Sequence, residues 1–339
     1  MSSYEGMAPD EAIADRRDLT KFGRMMAMDR RRFMSGLGIA AASGSFAPAD
    51  VLAMKGKQEM ETLPALHISE ITTKPWSLKQ DVGAYQAAGL GIELWESKFS
   101  DDDFEREIDW LVQTGISVSS LQPKVLTVFP SMSVAEPKDP TERIKLMCRA
   151  IDRFKVVLKG KSIPTNTGAD FTGNEDAVWR GSVEAYKRIA DYAAERDVKV
   201  AFEPLGASLM NRSTTVSNIE VALELLHEVN HPNLGICADA YNLWESSALD
   251  QVSLCGDKLF LVHIADWKRP RNFHDRHVPG EGVIPLAGFL QRVEALRYQG
   301  PLVVELFSEG VPDSLWKEEL TAVVARCKSG VAKAMNSAS

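Results

Sequence analysis

Short runs of apolar residues alternate along this chain with longer stretches in which apolar positions recur every three or four residues. Runs of the first kind are typical of strands buried on both faces, and stretches of the second kind are typical of amphipathic helices. From about residue 65 onward the two kinds alternate eight times. This alternation predicts a parallel sheet with helices packed outside it.

The predicted strands and helices form eight repeats. The strands cover residues 65–71, 92–95, 116–121, 162–166, 198–202, 234–238, 259–263 and 301–304. The helices cover residues 78–88, 101–114, 141–158, 174–196, 215–229, a short segment from 245, 286–296 and 313–334. Eight repeats over roughly 270 residues fit a single (β/α)8 TIM barrel, which typically takes about 250. A doubly wound sheet that binds a dinucleotide is the alternative, but no G-x-G-x-x-G follows the first strand.

Polar residues stand at the carboxyl ends of the last four predicted strands. They are Glu203, Asp239, His263 and Glu305. In a barrel these ends surround one mouth, where burying each unpaired ion would cost several kcal/mol that a divalent cation removes. Three carboxylates and one imidazole suit Mn²⁺ and also Co²⁺, Fe²⁺, Mg²⁺ or Zn²⁺. Taken singly, each acid could instead be a helix cap or a loop residue.

A basic loop follows the seventh strand and ends at the sequence G-E-G. Asp266, three residues beyond His263, is a candidate for orienting the imidazole or a neighbouring ligand, or else is an ordinary loop acid. His277 and Asn242 are candidates for protonating a leaving group, although His277 could simply pack on the barrel rim. The loop itself is the predicted lid over the mouth.

The strand-end motifs F-E-P-L, G-I-C-A-D, H-I-A-D-W-K-R and L-V-V-E-L, together with the later G-E-G, resemble those of the xylose isomerase-like barrel superfamily. The resemblance spans roughly residues 65–335, is sharpest over 203–305, and points to the sugar (phosphate) isomerase and epimerase branch. It implies that the four strand-end residues bind one divalent metal and that Glu203 and Glu305 serve as acid and base. It also implies that Arg269 contacts a substrate oxygen. Asn242 departs from the relatives, which commonly carry a histidine at this position.

The resemblance predicts a metal-dependent isomerase or epimerase of a keto sugar or related polyol, working by proton abstraction and an enediolate. The same first step would also serve a lyase or dehydratase that eliminates a β-substituent. A non-catalytic sugar-binding protein is the alternative from another class. Arg269, Asn242, His277, Asp266 and Trp95 are the predicted substrate contacts, with Trp95 as a candidate stacking wall or a plain packing residue.

The first 49 residues differ from the rest of the chain. Arg30-Arg31-Arg32-Phe33 precedes a mildly apolar run and then Ala47-Pro48-Ala49, an order that resembles a bacterial twin-arginine export signal. We therefore expect a signal segment over 1–49, a linker over 50–64, the barrel over 65–335, and export to the periplasm by the twin-arginine machinery. A short membrane anchor or a fortuitous basic cluster is the alternative, and Met28 is an alternative start.

Charge, hydropathy and cysteine spacing limit the kinds of partner and cross-link that the sequence predicts. A net charge of -8 argues against a nucleic-acid surface, and no segment of the mature chain is apolar enough to predict a membrane span. The four cysteines are scattered without a C-x-x-C pair, which argues against a zinc knuckle or a dense disulfide framework. One long-range disulfide and a homo-oligomer are left open.

Overall fold

The computed structural model describes residues 65–270 and 274–336 of the 339-residue chain. Eight parallel strands close into a barrel in sequence order, with β1 paired to both β2 and β8. The strands are β1 Leu66–Ser69, β2 Gly91–Trp95, β3 Val118–Gln122, β4 Ser162–Thr165, β5 Lys199–Phe202, β6 Leu234–Asp239, β7 Leu259–Ile264 and β8 Leu302–Val304. The predicted (β/α)8 TIM barrel is confirmed. The predicted signal segment over 1–49 and the linker over 50–64 lie outside the described residues.

One principal helix follows each strand. The helices are α1 Leu78–Ala87, α2 Phe104–Thr114, α3 Pro140–Phe154, α4 Glu175–Ala194, α5 Ile219–Val229, α6 Ala240–Glu245, α7 Leu286–Ala295 and α8 Leu320–Asn336. Side-chain caps mark several starts: Ser77 and Gln80 form a capping box at α1, and the Asn218 side chain accepts from the Val221 N–H at α5.

The sixth and eighth helices differ from the sequence prediction. We predicted a short helix beginning at Glu245, whereas α6 ends there, because Asp239 accepts a hydrogen bond from the Tyr241 N–H (2.8 Å) and starts the helix directly after β6. The last helix begins at Leu320 rather than near residue 313, where a short 3₁₀ turn over Leu315–Lys317 comes first.

The barrel interior is layered in a way that positions the polar strand ends. A small apolar cluster of Ala201, Cys237, Leu261 and Val303 fills the interior of strands β5 to β8. Each member lies two residues before one of the four polar strand-end residues, so both sets face the same side of their strands. The larger apolar core lies between the strands and the surrounding helices. The strand-end side chains therefore lie next to a buried apolar layer at the mouth of the barrel.

Two further expectations are tested by the described residues. Within them, no helix is both long enough and apolar enough to cross a membrane. All four cysteines lie in this part of the chain and are free thiols, so the structure contains no long-range disulfide.

Candidate metal centre

The four polar strand-end residues meet at the carboxyl ends of β5 to β8. Glu203 and Glu305 directly follow β5 and β8, Asp239 closes β6, and His263 lies near the end of β7. One potential ligand atom from each lies within 4.8 Å of the others. All four side chains are buried. We call Glu203, Asp239, His263 and Glu305 the strand-end cluster.

Strand register explains why these side chains converge. Asp239 pairs with His263 across β6 and β7, and His263 pairs with Val303 across β7 and β8. Interior-facing positions alternate with exterior ones along each strand, so residues at matched positions on neighbouring strands share the mouth. The convergence predicted from the apolar runs is present in the fold.

The imidazole of His263 contacts carboxylates through both ring nitrogens. Its Nε2 lies 2.8 Å from Oε2 of Glu93, a buried residue on β2. Its Nδ1 lies 3.7 Å from Oε2 of Glu305 and has no hydrogen-bond partner among the described residues. A buried nitrogen without a partner, beside three carboxylates, is the nitrogen that suits a cation.

Asn242 ties two of the acids together from the first turns of α6. Its Nδ2 donates to Oε1 of Glu203 (3.0 Å) and to Oδ2 of Asp239 (2.9 Å). Its Oδ1 accepts from the Gly206 N–H (3.1 Å), which fixes the direction of the amide. Asn242 is fully buried and belongs to the centre through the two acids that it contacts, while its role as a substrate contact stays a prediction.

Arg276 is the arginine that reaches the strand-end cluster. Its Nη1 lies 2.9 Å from Oδ2 of Asp239 and also contacts Oε2 of Glu305. Its guanidinium lies over the rings of Tyr241 (4.8 Å) and Phe307 (5.1 Å), and the side chain is buried. Arg269, which the resemblance pointed to, is exposed on the surface of the loop.

The remaining predicted residues lie around the centre rather than in it. Asp266 accepts from four backbone N–H groups, those of Trp267, Gly280, Gly282 and Ile284, at 2.8 to 3.0 Å. Its carboxylate is thereby committed to closing the loop after β7, and it does not contact the imidazole of His263. Gly282 has to be glycine, because a Cβ there would lie 2.3 Å from Oδ1 of Asp266.

His277 and Trp95 lie on the rim. The backbone of His277 bridges to Asp266, and its buried ring lies 3.4 Å from Oε2 of Glu281, outside the strand-end cluster. Trp95 ends β2, is half-buried, and donates its backbone N–H to Glu70 (2.8 Å). Neither side chain belongs to the strand-end cluster of three acids and one imidazole.

Glu93 and Gln122 belong to the centre although the sequence analysis did not single them out. Glu93 contacts His263, and Gln122 donates from Nε2 to Oε1 of Glu93 (3.0 Å) and to Oε1 of Glu305. They lie on β2 and β3, outside the four neighbouring strands that carry the strand-end cluster. The only available signal was one acid inside the apolar run I-E-L-W and one amide at the end of the third strand.

Burial and charge shift the proton affinities of this centre. Burial, reinforced by Glu305, raises the pKa of Glu203 well above its ordinary value, while His263 opposes the shift. Burial would lower the pKa of His263, but the Cys237 sulfur and the carboxylates of Glu93 and Glu305 raise it well above its ordinary value. Crowded carboxylates therefore hold a proton that a bound cation would displace.

The donor set fits a divalent cation. Three carboxylates and one imidazole nitrogen are buried together, and their candidate ligand atoms lie close enough to bind one ion. Mn²⁺ and related ions prefer such a set, in which most donors are oxygens. A dication would also offset the repulsion between Glu203 and Glu305, which adds to burial in raising the pKa of Glu203. The centre can therefore hold one such ion.

Comparisons with known proteins agree with this geometry. The chain is 28% identical over 160 residues to a 3-dehydroshikimate dehydratase of Pseudomonas putida, covering 43% of this chain and 23% of that protein. It is 32% identical over 136 residues to an L-ribulose 3-epimerase of Methylomonas sp., covering 39% of this chain and 43% of that protein. The chain thus spans less than half the length of these relatives. A crystal structure of the IOLI protein with a bound zinc atom has the same fold, with a TM-score of 0.67 at 20% identity over 81% of this chain and 99% of that one.

The family assignment rests on a longer match. Residues 84–326 match the family model of the xylose isomerase-like TIM barrel. This range begins within α1 and ends within α8, so it includes seven of the eight strands and every residue of the strand-end cluster. The chain belongs to the xylose isomerase-like TIM barrel family.

Proposed function

We propose that this protein is a divalent-metal-dependent isomerase or epimerase of a keto sugar or related polyol. The observation that carries the proposal is the convergence of Glu203, Asp239, His263 and Glu305 in one buried group at the barrel mouth. The epimerase named among its relatives supports a carbohydrate substrate. A metal at this mouth suits reactions that begin by removing a proton beside a carbonyl.

The two glutamates are the groups that would move the proton. A bound divalent cation would polarise the substrate carbonyl and acidify the adjacent C–H. Glu203 and Glu305 come from β5 and β8, on different sides of the mouth, so one can take the proton and the other can return it. Return to the same carbon from the opposite face is epimerisation, and delivery to the neighbouring carbon is isomerisation.

The remaining residues of the centre would hold these groups in place. Asn242 orients Glu203 and Asp239 through hydrogen bonds of 3.0 and 2.9 Å. Arg276, rather than the exposed Arg269, has the position to meet a substrate oxygen, since its guanidinium already lies against Asp239 and Glu305. The apolar floor beneath the cluster excludes water from below.

A lyase or dehydratase is the second candidate. It is favoured by the dehydratase among the relatives, which matches 43% of this chain. The first step would be the same proton removal, followed by loss of a β-substituent from the enediolate instead of return of the proton. Arg276, which contacts Asp239 and Glu305, could stabilise the departing group by its charge, and His277 stays the candidate acid proposed from the sequence.

Mn²⁺ is the proposed metal because three of the four donors are carboxylates.

Two further features are proposed from the sequence. Export by the twin-arginine machinery to the periplasm is proposed from residues 30–49, and it would favour a sugar without phosphate. Expression of the full chain with residues 30–32 changed to lysine or glutamine, followed by fractionation, tests export: unchanged periplasmic recovery would count against it.

Solvent deuterium exchange tests the proposed reaction. Protein loaded with Mn²⁺ is incubated in D₂O with a panel of keto sugars and polyols, and NMR follows deuterium entry and product identity. We expect exchange that stops when the metal is stripped, and that falls at least about 100-fold in Glu203→Gln and Glu305→Gln. An epimer or isomer supports the first candidate and an eliminated product supports the second. Binding of a sugar without any exchange across the panel would instead indicate a sugar-binding protein.

A further inference from the structure

Glu93 lies on β2, outside the four strands that carry the strand-end cluster. It is fully buried on β2, and its Oε2 lies 2.8 Å from Nε2 of His263. The same Oε2 accepts from the Ser120 hydroxyl (2.6 Å), and Oε1 accepts from Nε2 of Gln122 (3.0 Å). Its carboxylate is therefore surrounded by hydrogen-bond donors.

These contacts determine which nitrogen of His263 carries hydrogen. An ionised carboxylate can only accept hydrogen bonds, so the nitrogen facing it must be the donor. His263 then bears its hydrogen on Nε2, and in the neutral ring Nδ1 keeps its lone pair. That Nδ1 is the atom that lies beside Glu305 and has no hydrogen-bond partner in the described structure.

The donors around Glu93 favour the same tautomer. Ser120 and Gln122 both donate to its carboxylate, which leaves Oε2 an acceptor towards Nε2 of His263. The hydrogen-bond geometry of Glu93 therefore selects the tautomer of His263 that bears its hydrogen on Nε2.

Gln122 extends the arrangement to a second member of the cluster. Its single amide nitrogen contacts both Oε1 of Glu93 and Oε1 of Glu305, so one N–H can serve each carboxylate. Glu93 is in this way connected to His263 directly and to Glu305 through one side chain. All four residues of these connections are buried.

We propose that Glu93 is a positioning residue for the metal centre. It fixes the tautomer and ring orientation of His263 so that Nδ1 faces the metal, and through Gln122 it sets the orientation of Glu305. The inference rests on the proposed metal site and adds to it the residue on β2 that makes His263 a ligand. Carboxylate partners of this kind typically change metal affinity 10- to 100-fold when removed.

Two variants of Glu93 and one matched control test the proposal. Glu93→Gln keeps an oxygen that can accept from Nε2 but removes the charge, and Glu93→Ala removes both. Glu70→Gln is the control, because Glu70 is a fully buried glutamate at the end of β1 that does not contact His263. Burial raises the pKa of Glu70 to about 8, so glutamine mimics its neutral form at pH 7.

Mn²⁺ affinity is measured at pH 7 by competition with a chelator. The tautomer of His263 is read from ¹⁵N shifts of histidine-labelled protein loaded with diamagnetic Zn²⁺, which displaces the extra proton of the imidazole, and the signals are assigned with His263→Gln. We expect a loss of affinity of about 10-fold in Glu93→Gln and about 100-fold in Glu93→Ala, with an unchanged control. We also expect the Nε2–H tautomer in wild type and a mixture of tautomers in Glu93→Ala.

The outcomes separate this proposal from the proposed function. Equal Mn²⁺ affinity and an unchanged tautomer in both Glu93 variants would overturn the positioning role, even if the enzyme is active. A wild-type protein that binds Mn²⁺ but exchanges no deuterium with any sugar would overturn the reaction and leave the role of Glu93 standing. If destabilisation of the variants caused the loss of Mn²⁺ affinity, the melting temperature of the apoprotein would fall in parallel with that affinity. This result would also overturn the positioning role of Glu93.

Discussion

Replacement of Arg276 separates the contribution of the guanidinium from that of a bound metal. Arg276 is buried and contacts one carboxylate oxygen on each of Asp239 and Glu305, two residues of the candidate ligand set. Arg276→Met keeps most of the side-chain volume and removes the positive charge. In protein stripped of metal, the change leaves two buried carboxylates without their cationic partner.

The size of the effect follows from that loss. Removing one partner of a buried ion pair typically costs about 3–5 kcal/mol. Because Asp239 keeps its hydrogen bonds from Asn242 and from the Tyr241 N–H, we expect the lower figure, about 3 kcal/mol, or roughly a 6–12 °C drop in melting temperature. With saturating Mn²⁺ the dication supplies the missing charge, and the difference should shrink to about 1 kcal/mol or less.

Unfolding by urea or heat, with EDTA and with Mn²⁺, measures both differences. Arg143→Met is the matched control, since Arg143 is equally buried but donates to the backbone oxygens of Thr127 (2.8 Å) and Pro137 (2.9 Å), away from the centre. Its loss of stability should be the same in both conditions. If Arg276→Met also loses the same stability with and without Mn²⁺, the cation does not bind at the oxygens that Arg276 contacts.

Three other changes test separate parts of the structure. Asn242→Leu removes the donor to Glu203 and Asp239 and should weaken Mn²⁺ binding by about 10-fold in a chelator competition assay. Asp266→Ala removes the acceptor of four backbone N–H groups and should open the loop over 276–284 to limited proteolysis. Burial raises the pKa of Glu70 from 4.5 to about 8, so the folded protein holds a proton there that the unfolded chain releases. The stability from that proton is present at pH 4.5 and lost as the pH rises to about 8, so the melting temperature should fall more between pH 5 and 9 in wild type than in Glu70→Gln.

Each of these expectations has a clear opposite. Undiminished Mn²⁺ affinity in Asn242→Leu would mean that the ligands need no support from α6. Cleavage of Asp266→Ala outside residues 276–284, or none at all, would refute the role of its carboxylate in closing the loop. Parallel pH profiles for wild type and Glu70→Gln would show that Glu70 does not titrate between those values.

The barrel and the strand-end cluster follow from local sequence patterns. Each of Glu203, Asp239, His263 and Glu305 ends or closes an apolar run, and parallel strands bring such ends to one mouth by geometry alone. The helix after β6 was misplaced because one side chain, that of Asp239, serves both as a strand-end acid and as a helix cap. Nothing in the sequence distinguishes these two uses of the same carboxylate.

The supporting residues depend on long-range contacts that a sequence pattern does not encode. Glu93 and His263 are 170 positions apart, and a strand buried on both faces does not indicate which face points inward. Arg276 was one of several basic residues in its loop, and it reaches the mouth because the loop is folded back by the Asp266–His277 bridge. Arg269, six residues past His263, is exposed.

Anomalous diffraction from crystals of the protein grown with Mn²⁺ tests the central claim most directly. We predict one peak among the strand-end cluster, about 2.0–2.4 Å from carboxylate oxygens of Glu203, Asp239 and Glu305 and from Nδ1 of His263. Nε2 of His263 should remain on Glu93. A peak elsewhere, no peak in the cluster, or a peak bound through Nε2 would contradict the account.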